Sequence, residues 1–118
     1  MSEQKTTVIR PIRWNRLRSD EAEKEIRRRL KIAAPFVSPH AFDRMDEREE
    51  QGRLNSVDMM RILETGTVRE PPRSEKEGWV VVIEKRMPGT REAGVVTLIA
   101  HPGDDLEVWT VEWIDWRC

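Results

Sequence analysis

Beyond Thr67 the apolar residues of this chain stop recurring every third or fourth position and gather into short, β-branched runs. Trp79-Val80-Val81-Val82-Ile83 and Val95-Val96-Thr97-Leu98-Ile99-Ala100 are the clearest, with further runs over 67–70 and 106–113. Runs of this length, bounded by glycine, proline and aspartate, read as strands. The connections over 71–78, 86–94 and 101–105 carry turn residues and are short enough for neighbouring strands to lie antiparallel. The second half is thereby confined to a four-stranded antiparallel meander, which needs an apolar cover on at least one face.

The first half supplies the cover, because its apolar residues keep helical spacing. Ala22, Ile26, Leu30 and Ala33 accompany Asp20 and Glu23, a capping-box-like pair, and predict a helix over 21–33. Its stripe is narrow and Arg27, Arg28 and Lys31 occupy the other face, so this helix is expected on the surface of the domain. Ala34-Pro35 closes it, since proline pushes the preceding residue out of the helical region. Ser38-Pro39 opens a second helix as N-cap and first helical residue, with Ala41, Phe42 and Met45 buried and an end near 49–52. A third helix starts at Asn55 or Ser56, carries Val57, Met60 and Leu63, and stops at Gly66, which suits a left-handed C-terminal position. Helices two and three should form a hairpin. Upstream, 8–14 reads as a short edge strand weakened by Pro11. The expected class is α+β, with about three N-terminal helices followed by the four-stranded meander. Residues 35–118 make the domain, and 1–34 an extension whose basic helix packs on it.

At 118 residues the chain is long enough for one hydrophobic core. Its single cysteine, Cys118, excludes an intrachain disulfide and a multi-cysteine metal site, so a reducing, cytoplasmic location is expected. No apolar run approaches the length of a membrane helix, and no membrane association is expected. The net charge of −1 argues against strong non-specific nucleic-acid binding, yet the charge is unevenly spread. Residues 10–31 hold nine bases against four acids, whereas 104–115 hold five acids and no base. These two stretches can pair with each other or with different partners.

On a helix drawn at 100° per residue, His40, Arg44 and Arg48 fall at about 0°, 40° and 80°, beside Ala41, Met45 and Phe42 at about 100° to 200°. The three border the core-facing stripe, where side chains are partly desolvated but reachable and anion binding is most effective. His40 also stands in the first turn, where the helix dipole attracts anions.

The run His40-Ala41-x-x-Arg44-Met45-x-x-Arg48, then Val57, Leu63, Gly66 and Val68, then Trp109-Thr110-Val111, resembles the domain of unknown function 4258 family. That family is associated with the RelE and barnase-like ribonuclease toxins, and the likeness covers roughly residues 35–113. In place of the family's short link, this chain has a longer, acidic connection over 48–56, whose Glu49 and Glu50 oppose a phosphate near Arg48. The resemblance implies a RelE-like fold that engages RNA, with metal-independent endoribonuclease chemistry and no cofactor. A base takes the 2′-hydroxyl proton, cations stabilise charge developing on the phosphoryl oxygens, and an acid protonates the leaving oxygen. His40 would serve as base or acid, Arg44 as phosphate clamp, Arg48 or Lys85 as second cation, and Thr110 would orient phosphate or ribose. Arg27 and Arg28 would contact RNA.

Each of these residues also admits a structural reading. His40 and Arg44 can bond to neighbouring carbonyls and to an acid such as Glu112 or Asp115. The chain is then a non-catalytic interaction module of a mobile-element or toxin–antitoxin type, with an antitoxin-like protein partner. His101, in His-Pro-Gly-Asp-Asp, is expected as a solvated turn residue. The tryptophans at 14, 79, 109, 113 and 116 are expected in the core and on sheet faces, with 113 and 116 also suited to base stacking or a partner surface. No metal-ligand spacing occurs.

Overall fold

The computed structural model describes residues 12–47, 54–88 and 91–114. The order is α1 (Ser19–Ile32), β1 (Phe36–Val37), α2 (Pro39–Glu47), α3 (Ser56–Thr65), β2 (Thr67–Val68), β3 (Arg73–Glu75), β4 (Gly78–Arg86), β5 (Glu92–Ala100) and β6 (Leu106–Trp113). The α+β class holds, but the sheet has six strands where four were expected, in the order β1-β6-β5-β4-β2, with β3 also pairing β4. The two additional strands, β1 and β3, are only two and three residues long. Neither is long enough to show an alternating pattern in the sequence. β1 pairs parallel to β6 and the other pairs are antiparallel. Because β1 falls between α1 and α2, the helices are not an uninterrupted N-terminal block.

The helices start where local chemistry puts them. The Glu21 carboxylate accepts from the Arg18 backbone N–H at 3.0 Å, so α1 begins two residues before the expected Glu21. Ser38 Oγ accepts from Ala41 N at 3.1 Å, capping α2 as its sequence predicts. Asn55 and Asp58 form a reciprocal box at the start of α3. Gly66 does end that helix, but in extended backbone (φ −78°, ψ −177°), not the left-handed conformation. Glycine is needed there for space, since a Cβ would lie 2.6 Å from Ile62 O and 2.8 Å from Glu84 O.

The core lies between the helices and one face of the sheet, where Ala22, Ile26, Ala41, Met45, Met59, Ile62 and Leu63 meet Val81, Ile83, Val95, Ile99, Val108 and Val111. Ala22 and Ile26 are fully buried, so α1 sinks one side into this core although its other side meets solvent. α3 packs on α1, β4 and β5, whereas α2 packs on β6, so the two are not a closely packed hairpin. Phe42, expected inside, is 53 % exposed. At 200° it lies beyond the Ala41–Met45 line that contacts the core.

A bulge in β6 sets which residues face that core. Val96 pairs with Thr110 but Thr97 with Val108, leaving Trp109 as the extra residue. Alternation is thereby broken: Leu106, Val108, Val111 and Trp113 share the core face, and Thr110 joins Glu107 and Glu112 on the other. Strict alternation would instead group Leu106 and Val108 with Thr110, and Trp109 with Val111 and Trp113. No helix among the described residues is long and apolar enough to cross a membrane. Most of the expected 8–14 strand and the expected end of the second helix lie outside the described residues, as do Arg48, Asp115 and Trp116.

Candidate functional site at the α2–β6 junction

Ser38 fixes the position of α2 against the sheet. Its backbone N–H donates to Val108 O at 3.0 Å and its hydroxyl to Trp109 O at 3.1 Å, on the bulged segment of β6. His40 follows Ser38 by two residues, so this anchor fixes the first turn of α2 against β6, while Thr110, next to Trp109, turns to the other face of the sheet. His40 is exposed to solvent in the first turn. Arg44, one helical turn further, is half-buried at the border of the helix's apolar side, as its 40° position predicts. It is engaged in an interaction of its own, although its Nε is enclosed without an acceptor. The Thr110 hydroxyl is likewise enclosed without a hydrogen-bond partner. Such a group costs about 1–3 kcal/mol relative to a satisfied one.

The other expected site residues lie elsewhere. Lys85 lies in register with Ala93 and Trp113, on the sheet face opposite Thr110 and two strands away. Arg27 is a structural tie: its Nε donates to Glu64 O at 2.9 Å and its Nη2 to Gly66 O at 2.6 Å, binding α1 to the C-terminus of α3. Arg28 donates to both Glu25 oxygens, at 2.9 and 2.6 Å, and lies 3.7 Å from Asp104. Glu107 and Glu112 share Thr110's face, so the junction is not a uniformly positive hollow. A shallow groove of about 360 Å³ lies elsewhere, lined by Ser56, Val57, Met60, Arg61 and Glu64 of α3.

The most elaborate polar network involves residues given no role by their pattern. Arg29 is 3 % exposed and donates from Nε to Glu25 at 2.7 Å, from Nη1 to Ala100 O and Asp105 O at 2.8 and 2.7 Å, and from Nη2 to Gly103 O at 3.1 Å. Its guanidinium lies 5.6 Å from the centre of the Trp14 ring, which stacks at 4.2 Å on His101. His101 is thus half-buried against an aromatic ring and not solvated as expected. The i,i+4 spacing of Glu25 and Arg29 was a visible signal of pairing, but their burial was not.

Burial alone would raise the Glu25 carboxyl, but hydrogen bonds from Arg28 and Arg29, reinforced by their charges, outweigh it and hold the group below its ordinary value of 4.5. A depressed folded-state pKa gives stability that is present above 4.5 and lost as pH falls through the lower, folded value. Urea midpoints of the wild type should therefore fall once the pH drops below about 4.5, and Glu25→Gln should flatten that acid limb. Equal acid limbs in the two proteins would contradict this account. Among the described residues no group of three His, Cys, Asp or Glu is placed to hold a metal. Compared with protein families, with curated proteins and with solved structures, the chain finds no match.

Proposed function

We propose that the chain is a small RelE-like domain that engages RNA at the first turns of α2, where it acts as a metal-independent endoribonuclease. The observation that carries the reading is the exposed His40 in the first turn of α2, beside the Ser38 anchor to β6. An exposed imidazole can exchange protons with a substrate held there. Incubation of the purified chain with total RNA in EDTA tests this. Wild type should cleave, and His40→Ala should slow cleavage by at least about a hundredfold. No cleavage by wild type at high protein concentration rules the activity out.

A second reading, a non-catalytic module with a protein partner, draws on the α3 groove, where Val57 is 64 % exposed beside Met60. Val57→Asp would weaken such a complex and leave RNA cleavage unchanged.

A further inference from the structure

With α1 drawn at 100° per residue, its buried positions Ala22, Glu25, Ile26 and Arg29 span one side. Lys24, Arg27, Arg28 and Lys31 fall on the other. Arg27 is committed to the end of α3 and Arg28 to Glu25. Lys24 and Lys31 are exposed and have no hydrogen-bonded or ionic partner among the described residues. They stand two turns apart, about 10.5 Å along the axis, with the outer edge of Arg28 between them at 51 % side-chain exposure. Of the acids on this helix, Asp20 pairs with Arg18 at 2.7 Å, Glu23 lies 3.5 Å from Arg27 and Glu25 is held by Arg28 and Arg29, whereas Glu21 accepts the Arg18 backbone N–H and has no ion pair among the described residues. Lys24 and Lys31 are exposed cations two turns apart on one side of the helix.

We infer that the outer face of α1 binds the phosphate backbone of single-stranded RNA through Lys24 and Lys31, with Arg28 between them. The surface lies outside the stretch that carries the α2 site, and it rests on the reading of the chain as an RNA-engaging domain. Its contacts are electrostatic and sequence-independent, so they should supply affinity and salt dependence but no chemistry. RNA is favoured over an acidic protein because two compact ammonium groups on a helix offer point charges to spaced phosphates, and the one large apolar side chain exposed on α1, Ile32 at 66 %, is a single aliphatic group, too little for the anchor cluster of a protein interface.

Fluorescence anisotropy of the full chain with a labelled RNA oligonucleotide, over a series of KCl concentrations, tests the assignment. The Lys24→Glu/Lys31→Glu double variant should bind at least about tenfold more weakly at low salt, and its log–log salt slope should be shallower by about 1.4. Lys76→Glu, an exposed change in the β3–β4 turn, should leave both quantities near wild type. Unchanged affinity and slope in the double variant would overturn the inference, while the α2 reading would still stand or fall on whether His40→Ala loses cleavage. Binding of polyglutamate in place of RNA, or no RNA binding by wild type at low salt, would overturn it as well.

Discussion

Replacement of Arg29 by methionine is expected to cost about 3–5 kcal/mol of folding free energy, the range for removing one member of a buried ion pair. Methionine fills much of the same volume, so the loss is polar in origin. Glu25, 4 % exposed, would keep only Arg28, whose side chain is half in solvent. The carbonyls of Ala100, Gly103 and Asp105 would lose the Arg29 guanidinium, Asp105 O keeping the Ala100 N–H, and with it goes the tie between α1 and the β5–β6 turn. For a chain of this size the melting temperature should drop by roughly 10–20 °C. The Glu25→Leu/Arg29→Met double variant should be less destabilised than the sum of its single changes, because no buried charge is then stranded. A loss under about 1 kcal/mol for Arg29→Met in urea denaturation would show that solvent reaches the network and that it does not hold α1 in place.

Gly78→Ala is the second change with a large expected effect, about 3 kcal/mol or more. Gly78 opens β4 at φ 149°, and an added Cβ would lie 2.1 Å from Ile99 O and 2.9 Å from both Ala100 Cα and His101 N. Backbone atoms of the neighbouring strand cannot swing aside as a side-chain tip can, so the Gly78–Ala100 pairing has to open. Gly103 separates the two contributions. It has φ 129° with nothing within 4 Å of the added atom, so Gly103→Ala carries only the conformational cost, about 1–3 kcal/mol. Equal destabilisation by the two alanines, measured by urea midpoint, would mean that the close approach at Gly78 contributes nothing.

The long strands β4, β5 and β6 were legible as β-branched runs between turn residues, and the helices through a period of 3.6 in stripes such as Ala22–Ile26 and Ala41–Met45, whereas only the first two residues of the expected 67–70 run form a strand. Ser38-Pro39 located the start of α2 without ambiguity, since the cap is a local hydrogen bond. β1 and β3 were not legible, because two or three residues are too few to show alternation. The candidate site was read in part. Arg44 at the border of the core follows from helix geometry alone. Thr110's side of the sheet does not, since it depends on a one-residue bulge whose cause is the pairing with β5. Arg27, read as an RNA contact from its basic neighbourhood, proved to bind the carbonyls that end α3, an acceptor 37 residues away in the chain.

The amino-acid sequence by itself determined the helical and strand periods, the capped start of α2 and the excess of positive charge on the outside of α1, all properties of residues within a few positions of one another. Tertiary structure alone decided which arginines are spent and which lysines remain available. It also decided that Lys85 and Thr110 lie on opposite faces of the sheet, and that Glu25 and Arg29 are buried together. Those outcomes depend on strand register and on carbonyls more than 70 residues distant, and no local pattern encodes where such acceptors will lie. The stripe that begins at His40 and Arg44 was written in the sequence; its meeting with Thr110's strand was made by Ser38 bonding across to the bulge.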